Sequence, residues 1–206
     1  MLGIDPAALT PRDRYRLAIG TVVPRPIAWI TTRDAAGVVN LAPFSFFNGV
    51  TTSPFIVSVC IAHRQPIKDT LRNLRATGQG VVHLVPPALL AVAHASGAEY
   101  APTISEVDQL GLELLPSTRV DPPRLACAEV ALECRLQQEI PVGSPATALC
   151  LLEVLWVHLA EAVTTGGLPD PLRLRAVARL GGDAYLTGDN WMVQELARAV
   201  LPEHLR

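Results

Sequence analysis

The sequence predicts a mainly β domain, a closed or nearly closed antiparallel barrel with a few flanking helices. Many short runs rich in β-branched residues are separated by Gly and Pro turns, whereas few segments show helical periodicity. One run alternates strictly, with apolar Leu132, Cys134 and Leu136 separated by polar residues. A period of two is typical of a strand that buries one face.

The N-terminal part of the chain predicts an arm followed by a β-hairpin. Residues 1–24 carry scattered charge and several prolines, and a short helix is expected within residues 11–18. Residues 26–32 are β-rich, and residues 34–37 form a turn in which Gly37 permits a positive φ. The chain returns after this turn, so the barrel begins with two paired strands.

The middle of the chain predicts a strand, a helix and a further strand. Residues 55–61 are an apolar β-rich run. Residues 68–77 place two leucines on one helical face, and Gly78 follows where a helix commonly ends. Residues 81–85 then return as a strand.

The rest of the chain predicts two long strands between irregular segments. We expect a helical segment at 86–96, followed by a loop to residue 123 that has short helical turns and wraps the core. Strands are expected at 131–137 and 148–163, joined by a turn at 143–145. A glycine-rich segment at 179–185 and a C-terminal tail or helix at 186–206 complete the chain.

Length and composition favour a single domain over residues 1–206 that forms a homodimer. Half of the residues are hydrophobic and only 17% are charged. This balance provides more apolar surface than a monomer of this size readily buries. We therefore expect part of that surface to lie in a subunit contact.

Charge and cysteine usage exclude several classes of protein. The chain has 17 basic and 19 acidic residues and no basic run, so it has no electrostatic footprint for nucleic acid or an anionic membrane. The longest apolar stretch, residues 146–163, contains charged residues and is short for a transmembrane helix. The four cysteines form no CxxC pair, and the first residues lack the charged and apolar regions of a secretory signal, so we expect none. We expect a reduced, cytoplasmic protein.

Lys68, Asp69 and Thr70 open the predicted helix and form a candidate phosphate site. The unpaired N–H groups and positive dipole of a helix start favour a phosphate, as do the Lys68 ammonium and the Thr70 hydroxyl. Asp69 is expected to cap the helix by accepting from N–H groups one turn along. A triplet of this kind can also open an ordinary exposed helix, so a purely structural role stays open.

The block Asn40-Leu-Ala-Pro-Phe-Ser-Phe-Phe-Asn48 is a candidate site for a planar heterocycle. Asn40, Ser45 and Asn48 punctuate an apolar run, and Pro43 interrupts regular strand pairing, which leaves backbone groups for a ligand. A flavin needs such donors and acceptors along the polar edge of its ring. The alternative is a loop whose Asn and Ser side chains bond to their own backbone.

The other chemically notable residues have ordinary structural interpretations. Arg25 lies between two prolines that hold its backbone extended, so its guanidinium can be aimed at a ligand, although a surface arginine fits equally well. Trp29 is expected to pack in the core. Metal-ligand spacing is absent from His63, His83, His94 and His158, so we predict no metal site. GxSxG and GxGxxG motifs are absent too.

Taken in order, these blocks resemble the flavin reductase-like, FMN-binding split-barrel family, which includes flavoredoxin-type proteins. The resemblance covers nearly the whole chain. It is carried by Arg25-Pro-Ile-Ala, the block from Asn40 to Asn48, Lys68-Asp-Thr-Leu-Arg-Asn73, Gly111-Leu, Pro122-Pro-Arg124, Ala131-Leu-Glu-Cys134 and Arg179-Leu-Gly-Gly-Asp-Ala-Tyr185. It implies a six-stranded Greek-key split barrel, a homodimer, and FMN near the subunit interface, reduced by NADH or NADPH.

The same resemblance implies a set of cofactor-binding residues. It places Arg25, Pro26 and Ala28 against the flavin or its phosphate, Asn40, Ala42, Ser45 and Phe46 along the ring and ribityl chain, and Lys68, Asp69 and Thr70 on the phosphate. Tyr185 would approach the site of its own or the partner subunit. The catalytic residues stay unknown, since the flavin would carry the reaction, and Ser45 is a candidate for stabilising charge on the reduced ring.

The activity that the resemblance implies is that of an NAD(P)H-dependent flavin oxidoreductase. Hydride would pass from the nicotinamide to FMN, and electrons would pass on to free flavin or to a partner. The alternative is a non-enzymatic FMN-binding electron carrier or flavin store, since the fold alone does not decide activity. A barrel that binds some other small ligand is a third possibility.

Overall fold

Seven strands form one antiparallel sheet in this computed structural model, which describes residues 1–62 and 65–188. They are β1 (Ala28–Arg33), β2 (Val39–Phe44), β3 (Phe47–Thr52), β4 (Phe55–Ala62), β5 (Gln79–His83), β6 (Val130–Val142) and β7 (Thr147–Leu159). Their order across the sheet is β2-β1-β5-β6-β7-β4-β3, and every neighbouring pair is antiparallel. The predicted mainly β, antiparallel fold is confirmed.

The two edge strands of the sheet, β2 and β3, are consecutive in the chain. Strand β2 ends at Phe44 and β3 begins at Phe47, and three residues span at most about 11 Å. The adjoining ends of the two edge strands therefore lie close together, while no pairing links β2 to β3 within the described residues. The resemblance implies six strands, whereas the sheet has seven, since the segment that breaks at Ser45 and Phe46 contributes one strand to each edge.

Side chains of β1 alternate between the barrel interior and an outer core. Ala28 and Ile30 are fully buried inside the barrel with apolar residues of β4 to β7. Trp29 points the other way, packs with Leu41 and Leu125, and donates from Nε1 to Ser96 Oγ at 2.9 Å. The predicted core position of Trp29 is confirmed.

Short helices cover the ends and the outside of the barrel. The α-helices are α1 (Pro11–Thr21), α2 (Asp69–Thr77), α3 (Leu90–Ala95), α4 (Glu106–Gln109) and α5 (Pro171–Leu174), and single 3-10 turns lie at Pro6–Ala8, Pro87–Leu89 and Glu161–Val163. The helices predicted near residues 11–18, 68–77 and 86–96 are confirmed. Among helices of the described residues, none is long and apolar enough to cross a membrane.

Two-residue strands tie the peripheral segments together. Arg25–Pro26 pairs with Ala178–Arg179, which also pairs with Tyr185–Leu186. Leu114–Leu115 pairs with Arg124–Leu125, and Thr164–Thr165 pairs with Leu168–Pro169. The predicted C-terminal tail from residue 189 onward, and His63, lie outside the described residues.

The structure corrects the expected exposure of Glu133 on β6. Its alternation with Leu132 and Cys134 predicts a solvent-facing side chain, yet Glu133 is fully buried. The carboxylate accepts from the backbone N–H of Thr118 at 2.7 Å, from that of Arg119, and from His158 Nε2 at 2.6 Å. Burial favours a raised pKa for Glu133, but these hydrogen bonds outweigh it and lower the pKa.

His83 on β5 is a core histidine with both ring nitrogens bonded to the backbone. Nδ1 lies 2.9 Å from Trp29 O, and Nε2 lies 3.0 Å from Leu125 N. A carbonyl only accepts and an N–H only donates, so Nδ1 carries the proton and Nε2 accepts. The predicted structural role of His83 is confirmed, and its ring is neutral in this arrangement.

Candidate functional site

The N-terminus of α2 lines the larger of two neighbouring cavities. Leu71 and Leu74 are fully buried and anchor the helix on the barrel, while Gly78 ends it with φ 70°. The first intrahelical bond runs from Arg72 N to Lys68 O at 3.0 Å. The N–H groups before it have no partner within the helix.

The predicted capping role of Asp69 is wrong. Lys68 occupies the N-cap position, and no side chain caps the helix there. Asp69 is the first helical residue, and its carboxylate pairs instead with Arg72 one turn along. Because the Asp69 carboxylate pairs with Arg72, it does not cap the N–H groups at the helix start. An uncapped helix start favours binding of an anion there.

A chain of buried polar side chains fixes the residues beside this helix start. Asn73 Nδ2 donates to Thr32 Oγ1 at 3.1 Å, and Asn40 Nδ2 donates to Thr32 Oγ1 at 3.3 Å and to Thr70 Oγ1 at 2.9 Å. Because Thr70 Oγ1 accepts from Asn40, its own proton is left to donate.

The cavity has a volume of about 290 Å³, at the lower end of the range of small-molecule sites. It lies between β2, the α2 start and the segment after α3. Its walls are Asn40, Ala42, Pro43, Gln65, Pro66, Ile67, Lys68, Asp69, Thr70, Ser96, Gly97, Ala98, Glu99, Tyr100, Pro102 and Glu106. Five of the sequence-predicted site residues therefore share one cavity: Asn40, Ala42, Lys68, Asp69 and Thr70.

Ser45 and Tyr185 line a second, smaller cavity on the other side of Pro43. This cavity measures about 70 Å³ and is also lined by Ile27, Phe44, Leu90, Ala93, His94 and Arg179. Phe44 connects the two sites, because Lys68 Nζ lies 5.7 Å from its ring centroid. Only Pro43 and Phe44 thus separate Ser45, which is predicted to bind the ring, from Lys68, which is predicted to bind the phosphate.

A profile of the flavin reductase like domain matches residues 19–172 of this chain, most of its length. The chain belongs to the flavin reductase-like family. A relative from Halalkalibacterium halodurans, described only as an uncharacterised protein, is 38% identical over 189 residues, which cover 88% of this chain and 90% of that protein. The resemblance proposed from the motifs is confirmed.

Two solved structures extend the comparison to the fold. Nitrilotriacetate monooxygenase component B from Bacillus cereus superposes with a TM-score of 0.89 at 32% identity, covering 96% of this chain and 98% of that one. The 2-nitrobenzoate 2-nitroreductase of Pseudomonas fluorescens gives 0.88 at 27% identity, covering 98% and 100%. The split barrel of the flavin reductase-like family is therefore shared over nearly the full chain.

Four residues that the resemblance to the flavin reductase-like family assigns to the cofactor lie away from both cavities. Ala28 is fully buried inside the barrel, and Pro26 is exposed on a two-residue strand. Arg25 is 5% exposed, and its guanidinium donates to three carbonyls, those of Ile19, Val22 and Leu180. The Arg25 guanidinium thus caps the C-terminus of α1 and links this helix to the hairpin formed by Ala178–Arg179 and Tyr185–Leu186. Phe46 is exposed and lies against the same guanidinium, with its ring centroid 5.7 Å away.

Sequence reasoning missed Glu106 in this flavin reductase-like chain. The side chain is 4% exposed, lines the larger cavity and accepts from Leu41 N at 2.8 Å. Burial raises the pKa of Glu106, while the Leu41 hydrogen bond acts in the opposite direction. Its place beside β2 arises from a contact 65 residues apart in sequence. No group of three or more metal-ligating side chains lies within the described ranges.

Proposed function

We propose that this protein binds FMN in the larger cavity, with the phosphate at the start of α2. The observation that carries the proposal is the uncapped helix start, where backbone N–H groups, Lys68 and the donating hydroxyl of Thr70 converge on one cavity. A phosphate monoester matches these donors. Asn40 and Ala42 would then contact the ribityl chain, and Ser45 and Phe46 would lie toward the ring.

The proposed activity is NAD(P)H-dependent flavin oxidoreduction. FMN supplies the hydride chemistry when bound, while the protein holds it, orients it and limits water. Family membership supports this class of reaction, as do two similar structures whose names denote a monooxygenase component and a nitroreductase. Free flavin or another acceptor would take the electrons.

The test is anaerobic reduction of FMN-loaded protein. NADH and NADPH are each expected to bleach the flavin absorbance, with a modest preference between them, because no dedicated dinucleotide motif is present in the sequence. Ser45→Ala is expected to slow the bleaching, since its hydroxyl would stabilise charge on the reduced ring. If dithionite bleaches the flavin readily and neither nicotinamide does, the protein is an electron carrier. A protein that takes up no flavin contradicts the whole proposal.

A homodimer is the expected assembly. The sheet edge formed by β3 carries exposed apolar side chains, with Val50 53% exposed, and Phe46 and Phe55 beside it 43% and 40% exposed. An edge strand with such side chains is a liability in a monomer and is stabilised by a covering surface. Sedimentation velocity over a hundredfold concentration range is expected to give the mass of two chains throughout. A monomer at high concentration would contradict the assembly.

A further inference from the structure

The smaller cavity has a polar wall in which three side chains form a directed hydrogen-bond chain. Arg179 Nη1 donates to the hydroxyl oxygen of Tyr185, and that hydroxyl lies 2.8 Å from His94 Nδ1. A guanidinium only donates, so the Tyr185 oxygen accepts from Arg179, and the hydrogen of the Tyr185 hydroxyl is available to donate to His94 Nδ1. When Tyr185 donates in this way, neutral His94 carries its proton on Nε2.

Arg179 is itself held in place by other contacts. Its Nε and Nη2 atoms donate to Gly182 O at 3.0 and 2.6 Å, and Nη2 donates to Asp183 Oδ1 at 2.9 Å. Its guanidinium carbon lies 4.4 Å from the Tyr185 ring centroid. The guanidinium therefore contacts both the ring face and the oxygen of Tyr185 and fixes the position of its hydroxyl.

The chain connects solvent with the cavity. His94 is exposed on α3, whereas Tyr185 is half-buried and lines the cavity together with Ser45. When His94 takes up a second proton, both of its nitrogens donate. The Tyr185 oxygen then receives hydrogen bonds from Arg179 and His94, and its own proton is free to point toward a molecule in the cavity. Arg25 and Asp183 are the other charged groups near Arg179.

The size and place of the cavity limit what it can accept. An engineered cavity of about 150 Å³ holds benzene, so about 70 Å³ admits a functional group of a few atoms and leaves a ring outside. The cavity shares Pro43 with the larger cavity, and Phe44 lies between it and Lys68. A group seated here is therefore next to the proposed flavin ring.

We propose that the smaller cavity receives an oxygen atom of the electron acceptor, a quinone or nitroarene, and that Tyr185 protonates it. This inference rests on the proposed function. With a quinone, FMN held in the larger cavity would supply the hydride as the two-electron reductant, and the hydroquinone anion would be the product to be protonated. The O–H bond of Tyr185 breaks as the new hydroquinone O–H bond forms. The phenolate takes a proton from protonated His94, which solvent then replaces. Tyr185 is the catalytic residue, and His94 and Arg179 position it.

The experiment compares two acceptors for FMN-loaded protein reduced with dithionite. Menadione needs a proton for its two-electron reduction, whereas ferricyanide takes single electrons and needs none. General acid catalysis contributes roughly 10²–10⁴-fold, so the ratio of the menadione rate to the ferricyanide rate is expected to fall about 100-fold or more in Tyr185→Phe. Tyr15→Phe, on the exposed face of α1, is the matched control and should leave this ratio unchanged.

A second readout needs no flavin. The side-chain ¹⁵N resonances of His94 in flavin-free protein should show Nε2 protonated and Nδ1 accepting, and Tyr185→Phe should shift the Nδ1 resonance. Equal slowing of both acceptors, no slowing, or a proton on Nδ1 in the neutral wild type overturns this inference alone. Absence of flavin uptake by wild-type protein overturns the proposed function, and this inference with it.

Discussion

Replacing Lys68 and Thr70 together by alanine is expected to weaken FMN binding about 100-fold or more and to leave riboflavin binding unchanged. Both groups donate to the proposed phosphate position, and charge-assisted hydrogen bonds contribute roughly 1.5–3 kcal/mol each. Losing two of them corresponds to at least about two powers of ten in Kd. Riboflavin lacks the phosphate, so it serves as the internal control in a fluorescence titration.

Arg75→Ala is the matched control for this double variant. Arg75 is on α2 near its other end, where it pairs with Glu139 at 2.6 Å. Its loss removes a positive charge from the same helix without touching the cavity. We expect FMN affinity to stay within about twofold of wild type. Equal losses of FMN and riboflavin affinity in the double variant would indicate a damaged fold, and unchanged FMN affinity would disprove the phosphate site.

The composition of the chain offers an independent check of this site. Lys68 is the only lysine in the sequence, and the other residues counted as Lys or Arg are all arginines. Reductive ¹³C-methylation keeps the charge of a lysine and would label this one side chain besides the terminal amine. Its NMR resonance is expected to move on addition of FMN and to move little with riboflavin. A lysine resonance that ignores saturating FMN would contradict the assignment.

The parts of this structure that the sequence predicts are those that local chemistry decides. The α2 helix follows from its apolar spacing and from Gly78, which adopts φ 70° as a helix-ending residue should. The hairpin of β1 and β2 follows from the turn before Val38. Both depend on residues within a few positions of one another, so tertiary contacts do not override them.

The parts that the sequence does not predict depend on residues far apart in the chain. Glu133 alternates as an exposed residue, but the segment carrying Thr118 and Arg119 folds over it and supplies hydrogen bonds. Glu106 reaches the cavity only because α4 packs on β2. Arg25 has a partial local signal, since arginines near a helix end often bind its last carbonyls, yet its bond to Leu180 spans 155 positions.

Acidification from pH 6.5 to pH 4 is expected to destabilise the protein by about 3 kcal/mol through His83 alone. This histidine is fully buried, and burial is the main cause that lowers its pKa from 6.5 to about 4, with the charge of Arg124 adding to the effect. A pKa difference of about 2.5 between unfolded and folded states corresponds to roughly 3 kcal/mol.

The sign follows from where the proton binds. Between pH 6.5 and 4 the unfolded chain holds a proton on His83 and the folded chain does not, so falling pH favours unfolding. The contribution of neutral His83 to the free energy of unfolding is fully present above pH 6.5 and is lost as the pH approaches 4. The pKa of Glu133 is lowered from 4.5, so its contribution to stability is lost as the pH falls below that value. The pKa of Glu106 is raised, so protonation of Glu106 stabilises the folded chain as the pH falls.

His83→Gln separates the histidine from these carboxylates, because both proteins keep Glu106 and Glu133. The variant is expected to be less stable at pH 7.5, since one of the hydrogen bonds to Trp29 O and Leu125 N is lost in the core. Its free energy of unfolding should vary less between pH 6.5 and 4.5, so that the two urea-unfolding curves converge on acidification. Parallel pH profiles for the two proteins would mean that His83 is protonated in the folded state. In that case, a neutral imidazole with hydrogen bonds to both Trp29 O and Leu125 N would not be the group that links β5 to β1.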